Sequence, residues 1–224
     1  MSTRNTFCVA AAALTITGTS FAGVVTGFTG FSGVVSNYND GSTDWTAINM
    51  YANFSDDTYA VLNVFNSNIF SSDGLGFNHN DLANPHGGSW KPSFSFDIPG
   101  SSDPMCDSYV TIGYGVGSQA SQNWSEPDPS FNPVNSAYVP ENAGWFNLKV
   151  LWWPQYAIGG RVHIGQFVMA ADRAADFTFE AEVGYNTGPE SDIYFGEGFY
   201  STVPAPGALA LLGLGGIVAR RRRA

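Results

Sequence analysis

Charge is scarce in this chain, and most of it has one sign. Charged side chains make up 12% of the 224 residues, about half the share usual in soluble domains. Nine Lys and Arg stand against 19 Asp and Glu, and the pI of about 4.4 excludes a basic nucleic-acid binder. Cys8 and Cys106 are the only cysteines, which excludes a disulfide scaffold. Between the two ends there is no amphipathic period sustained over three helical turns and no repeat at solenoid or propeller spacing. G-x-S-x-G, P-loop and dinucleotide fingerprints are also missing. What is present is aromatic and turn-forming: 17 Phe, 10 Tyr and 6 Trp beside 26 Gly and 12 Pro. That much apolar surface can build a core, so general disorder is excluded and a turn-rich, all-β protein is left.

Both ends read as addresses. Arg4 precedes the short apolar run Phe7 to Ile16, and Ser20-Phe21-Ala22 places small residues where a signal peptidase reads them. Residues 1–22 are therefore expected to be a signal helix cut after Ala22, with Cys8 lost alongside it. The run is too short for a membrane span and suits a signal. At the other end, Val203-Pro204-Ala205-Pro206-Gly207 leads into an uncharged stretch at 207–219, then Arg220, Arg221, Arg222 and Arg223. An apolar segment stopped by a basic cluster is a stop-transfer pattern, with the arginines kept on the cytoplasmic side. Thirteen residues make roughly 20 Å of helix against a hydrocarbon layer of roughly 30 Å, so the span needs snorkelling arginines or a thinned bilayer. Gly213, Gly215 and Gly216 suit close packing of this helix against a protein partner.

This tail resembles the PEP-CTERM sorting signal of bacterial exported proteins. Val203, Pro204 and Pro206, the run that starts at Gly207, and Arg220 to Arg223 carry the likeness; Ala205 stands where that family usually has Glu. The resemblance implies recognition and processing by an exosortase, a membrane-embedded protease or transpeptidase, and it implies routing rather than activity. Residues 203–224 are thus expected to be a sorting signal and 23–202 the exported body. That body resembles the ectodomains of other bacterial proteins with this tail at His79-Asn-Asp-Leu82, Gly88-Ser-Trp90 and Ser108 to Gly113, a likeness that implies no activity.

Removal of the two ends sharpens the charge. Lys91, Lys149, Arg161 and Arg173 are then the only cations against all 19 carboxylates, a net charge of −15. Such a body repels anionic polymers and lipid headgroups and favours cations. Solubility by net charge explains this without a ligand. Ca²⁺, bridging or loop-bound, is the candidate ion, and no other cofactor is expected.

Period-two alternation marks half-buried strands. In Phe177 to Tyr185, Phe177, Phe179, Ala181, Val183 and Tyr185 face one way and Thr178, Glu180, Glu182 and Gly184 the other. Arg161 to Met169 resembles it, with Val162 and Ile164 opposite His163 and Gly165. Trp45–Phe54 and Thr58–Phe65 read as a hairpin around Ser55-Asp56-Asp57. Further strands are expected at Val24–Val35, Ser93–Asp97, Ser108–Tyr114, Gly144–Leu151 and Ile193–Ser201, a single helical turn at Ala170–Ala175, and a long irregular loop from Gln119 to Glu141. About nine strands fit an antiparallel two-sheet sandwich of jelly-roll or Greek-key type, flanked by the signal helix and the short transmembrane helix.

Candidate chemistry within the body is sparse. His79, Asp81 and His86 are the densest set of metal-ligand types, but their spacing matches no zinc motif and their Asn/Pro/Gly surroundings read as a turn held by hydrogen bonds. Glu180 and Glu182 share a strand face, as glycosidase carboxylates can, but alternation on a solvated sheet explains them equally. Cys106 has acidic sequence neighbours that would raise rather than lower its pKa, so it reads as a bystander thiol. Trp90, Trp124, Trp152 and Trp153 are the candidates for stacking on sugar rings, with Trp145 beside them, against the core position usual for Trp. The expected role is structural or adhesive at the cell surface or in the extracellular matrix, without catalysis. The alternative is a carbohydrate-binding module acting on extracellular polysaccharide.

Overall fold

The computed structural model describes residues 27–39, 41–71, 74–79, 90, 104–113, 125–131, 137–148 and 156–202. Nine strands lie within them: β1 (Phe28–Asn39), β2 (Asp44–Phe54), β3 (Ala60–Ser71), β4 (Tyr109–Val110), β5 (Ser125–Pro127), β6 (Ala143–Asn147), β7 (Arg161–Ala170), β8 (Phe177–Asn186) and β9 (Tyr194–Ser201). They form two antiparallel sheets, a four-stranded one in the order β1-β2-β7-β4 and a five-stranded one in the order β5-β6-β3-β8-β9. Among the described residues no helix is long and apolar enough to cross a membrane. The expected signal helix at 1–22, the sorting segment at 203–224 and the strand at Ser93–Asp97 lie outside the described residues.

The alternation of β8 organises the second sheet. Phe177, Phe179, Ala181, Val183 and Tyr185 are buried, while Thr178, Glu180 and Glu182 lie on the opposite, partly or fully exposed face. Across the sandwich the inner side chains of β2 (Ile48, Met50, Ala52, Phe54) and β7 (Val162, Ile164, Phe167, Met169) complete one shared core. Its contacts are largely aromatic and edge-on. Phe31 meets Phe179 with ring centroids 5.0 Å apart, and Phe54 meets Tyr185 at 5.2 Å, the offset geometry that the ring quadrupole favours.

Several register irregularities shift strand phase, among them one on β7 and one on β3. Tyr51 pairs with His163 while the neighbouring Met50 pairs with Gly165, so a bulge leaves Ile164 as the extra residue. Val162 and Ile164 therefore point inward as alternation predicts, but beyond Gly165 it is Phe167 and Met169 that do so. On β3, Asn66 takes a left-handed backbone (φ 48°) within a break in the β8 register. That break keeps both Val64 and Ile69 on the core side.

The expected β2–β3 hairpin does not exist. β2 pairs with β1 and β7, and β3 with β6 and β8. Residues 55–58 instead carry the chain from one sheet to the other. Asp56 shapes this turn by accepting the Thr58 amide at 2.8 Å, and Phe54 stacks on Tyr59 across it at 5.6 Å. Each strand has one apolar face, and the two faces are buried against each other rather than side by side. The stretch read as a long loop also holds structure: β5, then a 3₁₀ turn at Pro129–Phe131. Asp128 ties it down, since its carboxylate accepts the amides of Ser130 and Gly144, both at 2.7 Å. A 3₁₀ turn at Ala171–Asp176 stands where one helical turn is expected.

Candidate functional site

The outer face of the five-stranded sheet is the most distinctive surface of the described residues. Register places its outward side chains in four cross-strand rows: Glu126, Phe146, Asn63, Gly184 and Phe195; Phe65, Glu182 and Glu197; Asn68, Glu180 and Phe199; Phe70, Thr178 and Ser201. Phe195 is 60% exposed, and Phe70, Phe146 and Phe199 are exposed as well. Isolated exposed apolar side chains are ordinary, but several on one sheet face mark an interaction surface. Phe195 meets Phe65 edge-on at 6.0 Å and 88°. A Cβ on Gly184 would run into the Asn63 side chain and come within 3.6 Å of the Phe195 ring, so the missing side chain makes room for both.

Carboxylates lie between the rings. Glu182 is directly opposite Glu197, and Glu180 is two residues along the same face. Like charges in a directly opposed pair are unfavourable. Glu182 accepts a hydrogen bond from Asn66 Nδ2 at 2.8 Å, so the left-handed residue of the β3 break also positions an acid of this face. Among the described residues the pair Glu180 and Glu182 sits on the outward face of the sheet, Glu180 exposed and Glu182 partly exposed.

The tryptophan expectation is partly overturned. Trp90 is 2% exposed, enclosed by Phe77, His79, Phe131 and Phe167 with ring centroids 4.6–6.2 Å away, and cannot stack on a sugar. Trp145 is buried too, its indole N–H donating to the Thr111 carbonyl at 3.0 Å. Trp124, Trp152 and Trp153 lie outside the described residues. Among the described residues the exposed rings are phenylalanines of β3, β6 and β9, together with Tyr138.

His79 belongs to the core edge. Its ring packs against Trp90 at 4.6 Å, and Nδ1 is 3.5 Å from the buried carboxylate of Asp107. Asp81 and His86 lie outside the described residues, among which no group of three or more His, Cys, Asp or Glu side chains is placed to hold a metal ion. Beside His79, Asn78 Nδ2 donates to the Cys106 carbonyl at 2.6 Å. Cys106 itself is fully buried, out of reach of a second chain's thiol.

On the other sheet, Tyr51, Arg161 and His163 border an open pocket of about 330 Å³ together with Tyr156 and Ile158. The Arg161 guanidinium lies 4.6 Å above the Tyr51 ring, a cation–π contact. His163 Nε2 is cut off from water and has no partner among the described residues. Burial, opposed by a hydrogen bond with the Gly165 backbone and aided by the Arg161 charge, pushes this histidine down to about 4. An imidazole held neutral in the fold binds its proton more readily once unfolded, so its contribution is complete above pH 6.5 and is lost as pH falls towards 4. The expected loss over that window is up to about 3 kcal/mol. Denaturant unfolding of the wild type and His163→Gln at a series of pH values measures it; the difference between the two should open below pH 6.5, and parallel curves would refute it.

Comparison with family models, with curated proteins and with solved structures finds no match to this chain.

Proposed function

We propose that the chain is an exported β-sandwich, delivered to the cell surface or extracellular matrix, with a structural or adhesive role and no catalytic one. The single observation that carries the adhesive part is the outer face of β3, β8 and β9, where exposed Phe70, Phe195 and Phe199 surround Glu180, Glu182 and Glu197. Delivery rests on the sequence of the two ends: a signal peptide cut after Ala22 by signal peptidase, and a PEP-CTERM-like segment read by an exosortase-type membrane protease. The tail anchors the protein in the membrane before processing. The finer fold reading belongs with it, a jelly-roll or Greek-key sandwich between a signal helix and a short transmembrane helix. Ca²⁺ enters only as an ion that bridges acidic bodies.

A second reading, a carbohydrate-binding module, is favoured by the same face, with phenylalanine rings taking the part that composition suggests for tryptophans. Add-back to cells tests the adhesive role. Protein supplied from outside should be held on the surface of cells that lack it, and the double variant Phe70→Ser, Phe199→Ser should be washed off. Both positions are exposed, so the substitutions should change stability by no more than about 0.5 kcal/mol each. Equal retention of variant and wild type would refute adhesion through this face.

A further inference from the structure

We propose that the outer face of the five-stranded sheet binds a cationic polysaccharide, a polymer of amino sugars whose rings lie on the phenylalanines while its ammonium groups meet the three glutamates. The inference rests on the adhesive reading and names the ligand class for that face.

Among the described residues the charge on the face is one-signed. Glu180, Glu182 and Glu197 project from β8 and β9, Glu126 of β5 stands opposite Phe146 at the other edge of the sheet, and the remaining outward positions in the four rows are Asn, Thr, Ser, Gly and Phe. Of the body's four cations, Arg161 lies on β7 of the other sheet, Arg173 donates to the carbonyls of Gly76 and Leu75, and Lys91 and Lys149 lie outside the described residues. A polyanion, whether nucleic acid or acidic polysaccharide, is repelled. A second copy presenting this face would set carboxylate against carboxylate. What complements the face is positive charge together with apolar surface. The directly opposed Glu182 and Glu197 add to this, because their mutual repulsion is relieved by a cation placed between them.

Shape decides between a cationic sugar polymer and a basic peptide. Basic amphipathic helices dock in apolar grooves, and extended peptides add to a sheet edge through the backbone. The rows here lie on the broad face of paired strands, with β8 hydrogen-bonded on both sides by β3 and β9. Phe195 and Phe199, four residues apart on β9, stand roughly 13 Å from each other along the strand, with Glu197 between them. A stiff chain of rings with an amine on each meets this alternation of ring and carboxylate. Phe65 and Phe70 repeat it on β3, flanking Glu182 and Glu180 of the neighbouring strand.

Binding of the full-length chain to three soluble probes tests the proposal: a glucosamine hexamer, its fully N-acetylated counterpart and hexalysine, at low salt and a mildly acidic pH. The glucosamine hexamer should bind, with affinity falling as salt rises. Acetylation removes the charge and keeps the rings, whereas hexalysine keeps the charge without rings; each should bind at least about tenfold more weakly, as expected for loss of three modest exposed ion pairs or of the stacking surface. The triple variant Glu180→Gln, Glu182→Gln, Glu197→Gln should lose the preference for the amine form, and Phe70→Ser, Phe199→Ser should lose binding to both sugars. The proposal is overturned if the acetylated hexamer or hexalysine binds as well as the glucosamine hexamer, or if none of the three binds. If surface retention still depends on Phe70 and Phe199 in that case, adhesion stands and only the ligand class falls.

Discussion

Phe167→Ala should lose about 3–5 kcal/mol of folding stability, among the largest losses that a single truncation in this core can cause. Phe167 is fully buried on the inner face of β7. Its ring lies 5.4 Å from Phe77, 5.6 Å from Phe177, 5.9 Å from Phe179 and 6.2 Å from Trp90. It therefore joins β7 of one sheet to β8 of the other and to the segment that carries Phe77 and Trp90. Truncation removes the transfer free energy of the ring and leaves a cavity that rigid aromatic neighbours cannot close. For a body of this size the loss corresponds to a drop in Tm on the order of 10 °C. Phe199→Ala, the same chemical change on the exposed face, should stay within about 0.5 kcal/mol. Thermal or denaturant unfolding of both variants measures the contrast, and equal losses would show that the two sheets do not share this core.

A chain ended after Thr202 should no longer need detergent to be released from the cell envelope. The proposed anchor lies wholly in the segment removed: the apolar stretch at 207–219 and the four arginines that stop it. An inserted helix holds its protein effectively irreversibly, whereas a sheet face that binds through ion pairs and exposed rings is released by salt. Fractionation therefore separates the two. The full chain, before processing, should require detergent for release, and the shortened chain should appear in the medium or come off in a salt wash. A shortened chain that still requires detergent would rule out anchoring by the tail. Folding is not expected to suffer, because Thr202 already completes the last strand: its amide and hydroxyl both hydrogen-bond to the Phe177 carbonyl.

How far the fold was legible follows from where alternation runs unbroken. β8 could be read residue by residue because nothing interrupts its period from Phe177 to Tyr185. β7 could be read only as far as the bulge opposite Tyr51, since the extra residue arises from pairing with β2 and leaves no local mark. The turn at residues 55–58 was legible as a turn, but an Asx turn looks the same whether the next strand lies alongside or crosses to the facing sheet. Trp90 was misplaced for a similar reason. Its sequence neighbours are polar and Gly-rich, while the rings that bury it come from Phe77, Phe131 and Phe167.

The candidate face was hidden by aromatics on both sides of β9. Tyr194 and Tyr200 share one parity, Phe195 and Phe199 the other, so hydrophobicity alone cannot say which faces in. The glycines hold the signal. A Cβ on Gly196 would come within 2.4 Å of the Phe28 ring, and one on Gly198 within 2.8 Å of Phe31. The parity that contains the glycines is the one on which β1 closes the sandwich, which turns Phe195 and Phe199 outward. Glu180 and Glu182 were assigned to the solvated side of β8 correctly, but their meeting with Glu197 depends on the β8–β9 register.

The proposed role depends most on both ends being addresses for a body that acts outside the cell. The intact mass of the protein recovered from the cell surface or medium tests this directly. The predicted species begins at Gly23 and lacks the arginines at 220–223. Recovery of the chain intact from Met1 to Ala224 would contradict it.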